Sequence, residues 1–223
     1  MSQQFLKLIQ RGATAEIADS VADDPTLLSW RDAQGISALM WSIYSGQPLV
    51  RDFLIAERQR AGIAPDAYEA ASIGDATALA SALDATPEAL HEPTGDGWTL
   101  LHLAAAFGTP DSVRLLLDKG AAVDAVSTNA QRNQPLHAVL ALGRNIEIID
   151  LLLHAGAGPN ARQTGGFTAI FSAAAANRRD LCGQLIQHGA KPGIANDFGQ
   201  TAAGYARERG HTMLADWLDS LPA

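Results

Sequence analysis

The sequence predicts an all-α solenoid of about seven helix-turn-helix units, and two observations support this prediction. A motif at residues 99–105 has weaker copies that begin at Gln134, Thr168 and Thr201, so it recurs at a nearly constant interval of roughly 33 residues. A residue suited to ending a helix lies nine positions into each copy, at Gly108, Gly143, Asn177 and Gly210. Such a fixed interval indicates a repeat architecture, in which each unit stacks on its neighbours.

The same spacing extends towards the amino terminus. Motifs placed at Pro65, Ser37 and Gln3 put a glycine at the helix-ending position of three further units: Gly74, Gly46 and Gly12. The units therefore begin near residues 1, 32, 61, 94, 129, 163 and 196, and they form one predicted domain, 1–223, whose terminal units act as caps. The interval between Ser37 and Pro65 is shorter than the others, which predicts a bend or a change of twist near the third unit.

The fourth unit shows how each element arises. Thr99 precedes an apolar run and is suited to capping a first helix, whose inner face carries leucine and alanine at helical spacing. Gly108 ends this helix, and a left-handed backbone conformation is expected there. Pro110 begins the second helix and Gly120 ends it. The same order of signals fits residues 147–154 and 180–188, so we expect paired helices in those units too.

The motif T-L-L-H-L-A-A at residues 99–105 resembles the core of the ankyrin repeat family. The endings G-A-A-V-D at 120–124 and G-A-G-P-N at 156–160 resemble the end of that family's repeat. The resemblance implies a turn and two antiparallel helices in each unit. It also implies that His102 and His137 tie neighbouring turns through backbone hydrogen bonds, and that a protein partner binds a concave surface of hairpin tips and first helices.

Side chains at the positions of that surface are more apolar than the scaffold requires. The predicted partner-binding residues are Ile36, Tyr44, Ile73, Asp96, Trp98, Phe107, Gln131, Asn133, Leu142, Phe167, Phe198 and Arg209. Aromatic residues and arginine are enriched in binding hot spots, which favours a contact surface. The alternative is that Trp98, Phe167 and Phe198 pack between neighbouring hairpin tips. Residues 126–133 form a longer polar linker that we expect to project from the surface.

Charge is distributed unevenly along the chain. The net charge is -8, and no lysine or arginine occurs between Arg60 and Arg114. An acidic middle repels phosphate backbones, which argues against nucleic acid as a ligand, and it favours a protein partner with a basic patch. A solvated acidic face that only aids solubility is the alternative interpretation.

Candidate catalytic and metal-binding residues are few. Cys182 and His188 are six residues apart on one predicted helix, and this spacing places them on opposite faces. His154 and His188 fall in the last turns of second helices, where a positive charge is favoured, and at adjacent-repeat spacing we expect them to be too far apart to share a zinc ion. The sequence therefore predicts no enzyme, no cofactor and no metal.

The single cysteine excludes an intrachain disulfide framework, and no secretory or membrane-spanning segment is visible, so a cytoplasmic location is expected. The leading prediction is a monomeric, non-catalytic adaptor or inhibitor that binds one protein partner. Two alternatives stay open: an accessory protein that buries the apolar stripe in a homodimer, and a hidden enzyme.

Overall fold

Paired α-helices make up the fold. The computed structural model describes residues 2–143 and 145–221, so Met1 and the last two residues of the predicted domain lie outside the described part. The helices there are α1 Ser2–Arg11, α2 Thr14–Asp23, α3 Ala38–Tyr44, α4 Pro48–Arg60, α5 Ala67–Ile73, α6 Ala76–Ala85, α7 Leu100–Phe107, α8 Pro110–Asp118, α9 Pro135–Ala138, α10 Ile146–His154, α11 Ala169–Ala175, α12 Arg179–Gln187, α13 Ala202–Glu208 and α14 Thr212–Asp219.

These helices stack in two layers. Odd-numbered helices contact one another along the chain, as α5, α7 and α9 do, and α6, α8 and α10 form the corresponding second layer. Short 3-10 turns at Pro25–Ser29 and Pro87–Leu90 extend the first and third pairs, and a π-helical turn at Val139–Gly143 continues α9. The all-α solenoid predicted from the repeat interval is confirmed.

The first helix of the third pair begins one residue later than the repeat spacing predicts. Asp66, not Pro65, caps α5: its carboxylate accepts the Glu69 N–H at 2.9 Å, and the Glu69 carboxylate accepts the Asp66 N–H at 3.0 Å. This reciprocal arrangement satisfies two donors that the helix start leaves without partners. Asp66 is the better cap because proline has neither a side-chain acceptor nor an N–H.

Two histidines bridge neighbouring units, as the resemblance implies. Nε2 of His102 lies 3.0 Å from the Asn133 carbonyl oxygen, and Nε2 of His137 lies 3.1 Å from the Ala161 carbonyl oxygen. Both imidazoles are buried. A carbonyl only accepts, so each ring donates from Nε2, and Nδ1 of His137 accepts the Gln134 N–H at 3.2 Å. The structural role predicted for these histidines is confirmed.

Gly108 ends α7 for a different reason from the one expected. Its φ is -84° and its ψ is -152°, so the backbone is extended and not left-handed. A β-carbon at this position would stand 2.5 Å from the Ala71 carbonyl oxygen and 2.9 Å from the Ala104 Cα. The corresponding Gly46 and Asn177 do adopt positive φ, at 64° and 55°. Close approach of α5 and α7 therefore requires the glycine at 108.

Buried apolar residues form two clusters. The smaller one, from Phe5 to Leu54, fills the space between the first two helix pairs, and the larger one extends from Ile36 to Leu218. A buried ion pair lies at the junction, where Arg58 donates to the two carboxylate oxygens of Glu69 at 2.7 and 2.8 Å. The ion pair occupies the place where the repeat interval is shortest.

Candidate protein-binding surface

Hairpin tips are joined from one unit to the next by backbone hydrogen bonds of the same kind. In each of three cases, an N–H of the following unit donates to a carbonyl oxygen in the preceding tip. The bonds are Thr128 N–H to Gly97 at 3.0 Å, Thr164 N–H to Gln131 at 2.9 Å, and Asp197 N–H to Gly165 at 2.9 Å. The tips therefore form an ordered row beside the first helices, at the place where the predicted surface lies.

Tyr44, Trp98 and Phe107 form a first aromatic cluster. The ring centres of Tyr44 and Phe107 lie 5.7 Å apart, and those of Trp98 and Phe107 lie 6.0 Å apart with their planes inclined by 27°. All three side chains are half-buried. The rings pack on one another along the first helices while part of each stays accessible. The cluster is therefore neither a fully exposed contact surface nor fully packed between neighbouring units.

Asp96 adds a negative charge to the first aromatic cluster. The Tyr44 hydroxyl is buried and has no hydrogen-bond partner among the described residues. Burial, and next to it the charge of Asp96, raises the pKa of Tyr44 above its ordinary value. Thr94 donates from its hydroxyl to the Asp96 carboxylate. The cluster therefore presents apolar faces beside a carboxylate, an arrangement suited to a cationic group.

Phe167, Phe198 and Tyr205 form a second aromatic cluster at the other end of the row. The Phe167 ring centre lies 6.2 Å from that of Phe198 and 5.4 Å from that of Tyr205. The Arg209 guanidinium lies 3.7 Å from the Tyr205 ring centre and donates to its hydroxyl at 2.7 Å. Phe198 is 73% exposed. A shallow groove of about 310 Å³ runs beside this cluster, lined by Gln163, Thr164, Phe167, Phe171, Ser172, Ala175 and Tyr205.

The other predicted contact residues differ in accessibility. Ile36 and Asn133 are buried, at 4% and 7% exposure, so their side chains are not available to a partner. Ile73 is half-buried and packs against the smaller apolar cluster. Gln131 is exposed, and Leu142, on the π-helical turn, is 55% exposed. Ile36 and Asn133 are therefore excluded from the proposed surface, and ten of the twelve predicted residues stay in it.

The linker at residues 126–133 is folded back, contrary to the expectation that it projects. Ser127 is buried; its N–H donates to the Asn133 carbonyl oxygen at 2.8 Å, and its hydroxyl accepts the Asn133 N–H at 3.0 Å. Asn129 donates from Nδ2 to the Asp96 carbonyl oxygen at 3.0 Å. These bonds hold the linker against the preceding tip because its polar groups find partners there.

Of the residues that line the groove, Phe167 is among the predicted partner-binding residues, but Tyr205 and the others are not. Tyr205 lies four positions after Thr201, where the three preceding units carry Leu103, Ala138 and Ser172. An aromatic residue at a position that carries smaller residues in the other units could have identified Tyr205 as a candidate. The groove itself also depends on Phe171, which replaces the motif histidine and packs 5.7 Å from Tyr205, between ring centres.

The acidic middle is partly neutralised by basic residues from outside it. Four of its eight carboxylates form ion pairs: Asp66 with Arg31 at 2.6 Å, Glu69 with Arg58 at 2.7 Å, Asp84 with Lys119 at 3.2 Å and Asp111 with Arg114 at 2.6 Å. Asp96 forms no ion pair within the described part of the chain. Asp75, Glu88 and Glu92 likewise form no ion pair among the described residues, so these four carboxylates carry the charge that is not neutralised.

The structure also tests the predictions made for Cys182 and for the pair His154 and His188. Burial, together with the charge of Asp180, raises the pKa of the Cys182 thiol to about 12, so this thiol is protonated and a poor nucleophile at neutral pH. His154 and His188 were expected to stand too far apart to share an ion. That expectation is wrong, because their ring centres lie 4.9 Å apart.

These features define a class of protein: a stacked helical scaffold with partly exposed side chains along its first helices and turns. No helix within residues 2–143 and 145–221 is long and apolar enough to cross a membrane. A family model described as ankyrin repeats (3 copies) matches residues 67–163 and 138–219, which is more than half of the chain. The chain belongs to the ankyrin repeat family.

About half of the chain is similar in sequence to relatives whose names describe different functions. The mouse (Mus musculus) B-cell lymphoma 3 protein homolog is 35% identical over 114 residues, 51% of this chain and 25% of that protein. A putative ankyrin repeat-containing protein of Treponema pallidum (strain Nichols) is 34% identical over 111 residues, 50% of this chain and 37% of that protein. A probable E3 ubiquitin-protein ligase, XBOS34, of Oryza sativa subsp. japonica is 31% identical over 117 residues, 52% of this chain and 22% of that protein. The matches thus span only 22–37% of these relatives.

Proposed function

We propose that this chain is a non-catalytic, monomeric adaptor or inhibitor that binds one protein partner through its hairpin tips and first helices. Ankyrin repeats are protein-interaction modules, and the B-cell lymphoma 3 homolog is one relative that carries them. The buried Cys182 thiol is a poor nucleophile, which favours a non-catalytic role. The presence of a single cysteine fits a reducing compartment such as the cytoplasm.

The observation that carries the proposal is the position of the two aromatic clusters on one row of tips and first helices. Phe198 is largely exposed, and Trp98 and Phe107 are half-buried. Trp98 and Phe107 pack against the larger apolar cluster with one part of each ring and leave the other part accessible, whereas Phe198 does not belong to that cluster. Partly exposed aromatic side chains of this kind supply much of the binding energy in protein interfaces.

The charge near the first aromatic cluster defines the chemistry of the partner. Asp96 lies beside Tyr44 and two residues before Trp98 in the chain, so a lysine or arginine side chain bound there would meet a carboxylate and aromatic faces together. We therefore propose that the partner presents a basic side chain to the first cluster and apolar side chains to the groove beside Phe167.

The experiment is a selection of ligands from a random peptide library on the purified full chain, followed by calorimetric titration of the selected peptides. Phe198→Ala and Leu142→Ala remove exposed apolar side chains from the proposed surface. Each is expected to weaken binding by about tenfold or more, the effect of losing a contact worth roughly 1.4 kcal/mol. Asp96→Asn should weaken binding most at low salt, since exposed charges are screened as salt rises.

Met213→Ala is the matched control, because Met213 is 89% exposed but lies on α14, in the second layer. The proposed surface is refuted if binding depends on Met213 and not on Phe198 or Leu142. Sedimentation at increasing concentration addresses self-association. A dimer that Phe198→Ala dissociates would favour the alternative of a homodimeric accessory protein.

A further inference from the structure

Three potential metal ligands meet where α10 and α12 end. Oxygen or nitrogen atoms of Asp150, His154 and His188 all lie within 4.8 Å of one another. Asp150 and His154 are four residues apart on α10 and therefore share one face of that helix. His188 follows α12 directly, one repeat interval after His154, so the repeat itself brings the two imidazoles together.

A neighbouring hydrogen bond prepares His154 to bind a metal. Its Nδ1 lies 2.8 Å from the Asp150 carbonyl oxygen. A carbonyl accepts only, so Nδ1 carries the proton and Nε2 keeps a free lone pair. Histidines that bind metals are commonly fixed in this way, with the nitrogen that does not bind the ion donating to a carbonyl or carboxylate.

A second hydrogen bond, from Gln184, holds the Asp150 carboxylate in position. The Gln184 Nε2 donates to one oxygen of Asp150, which leaves the other oxygen free. Gln184 and His188 repeat, one unit later, the four-residue spacing of Asp150 and His154. Each of the two stacked helices thus contributes one pair of polar side chains. Of these four side chains, all but Gln184 belong to residue types that commonly bind metal ions.

The distances suit a tetrahedral ion. With zinc-nitrogen bonds of about 2.0–2.1 Å, two imidazoles on one zinc ion place their ring centres about 5 Å apart and their ligand atoms roughly 3.3 Å apart. The observed separation between ring centres is 4.9 Å. The three ligand atoms lie within 4.8 Å of one another, and His154 is exposed while the other two ligands are half-buried, so an ion could reach the site from solvent.

We propose that Asp150, His154 and His188 form a binding site for one divalent transition-metal ion of the zinc type. Two imidazoles and a carboxylate match the ligand preferences of zinc and leave a fourth position for water or for a donor atom of a partner. The ion would link α10 to α12 and stabilise the contact between the fifth and sixth units. This inference uses none of the residues of the proposed protein-binding surface.

The test uses the tag-free full chain, freed of metal by chelator dialysis and titrated with Zn²⁺ against a chromophoric chelator. We expect one equivalent to bind, and Co²⁺ in its place to give a visible spectrum typical of low coordination number. His154→Ala, His188→Ala and Asp150→Asn should each weaken Zn²⁺ binding by at least about tenfold, since even supporting residues contribute roughly 10–100-fold. His91→Ala removes an exposed histidine elsewhere and should change nothing.

Gln184→Glu provides a gain-of-function arm. It places a second carboxylate at the fourth corner and should tighten Zn²⁺ binding and raise the melting temperature in the presence of the ion. Circular dichroism checks that each variant stays folded. The proposal is overturned if the parent chain binds no saturable equivalent, or if binding persists unchanged in both His154→Ala and His188→Ala.

Discussion

Burial disfavours the charged form of His102 and His137, the two imidazoles that donate to carbonyl oxygens of the following turns. Burial lowers the pKa of both imidazoles, and it lowers that of His137 to about 4 from an ordinary value of 6.5. Between pH 6.5 and 4 the unfolded chain therefore takes up a proton at this position that the folded chain does not. Folding stability rises with pH wherever the unfolded state binds more protons, so acidification through this window destabilises the fold.

His137 is accordingly expected to make the chain sensitive to mild acid. A shift of this size corresponds to a loss of about 3 kcal/mol of unfolding free energy between roughly pH 7 and pH 4. Urea unfolding of the parent chain and of His137→Met across this range measures it. Methionine is the test residue because Met40 occupies the same motif position in the second unit. The variant should be less stable at neutral pH but should lose less stability on acidification. Equal pH slopes for the two proteins would contradict the prediction.

The helix ends show why glycines at equivalent positions are not interchangeable. Gly46 has a φ of 64° and open space around its α-carbon, whereas Gly108 is extended and lies against the Ala71 carbonyl. Asparagine tolerates positive φ, and Asn177 already adopts it at the matching position of the sixth unit.

Gly46→Asn should therefore cost less than about 1 kcal/mol, because the substitution meets no steric obstacle and little backbone strain. Gly108→Asn should cost about 2 kcal/mol or more, since any side chain forces α5 and α7 apart. Chemical denaturation of the two variants distinguishes these outcomes. Similar losses in both proteins would mean that backbone conformation, and not close approach, decides the choice of glycine at residue 108.

The positions of the helices can be predicted from the sequence, whereas the contacts between helices cannot. The helix pairs follow from spacing, because the motif starts at 99, 134, 168 and 201 recur at nearly one interval. The reason for Gly108 does not follow, since it depends on the distance between two helices far apart in the chain. The proximity of His154 and His188 is of the same kind, and so is the burial of Ile36 and Asn133.

Trp98, Phe107, Phe167 and Phe198 can be selected as candidates from the sequence because aromatic residues in turn and helix-face positions stand out against a small-residue scaffold. Their mutual packing was not predictable, because it depends on side-chain directions across units. The Phe167 groove forms only where Phe171 replaces the motif histidine and Tyr205 faces it.

Over the whole molecule, the two apolar clusters predict uneven stability. In repeat proteins each unit contacts only its neighbours, so a weak junction separates regions that open independently. The junction here contains the Arg58–Glu69 ion pair, with both side chains buried, at 6% and 0% exposure. Removing one member of a buried pair typically costs about 3–5 kcal/mol, because the other charge stays buried without compensation.

Glu69→Gln should therefore loosen α1–α4 selectively. Native-state hydrogen exchange read by mass spectrometry is expected to show faster exchange in these helices, while α11–α14 keep the rates of the parent chain because they lie several units away from the junction. Asp84→Asn is the control: it breaks an exposed pair with Lys119, worth roughly 0–1 kcal/mol, and should leave both regions unchanged. Uniform acceleration along the chain in Glu69→Gln would show that the two clusters unfold as one cooperative unit and that the junction does not divide them.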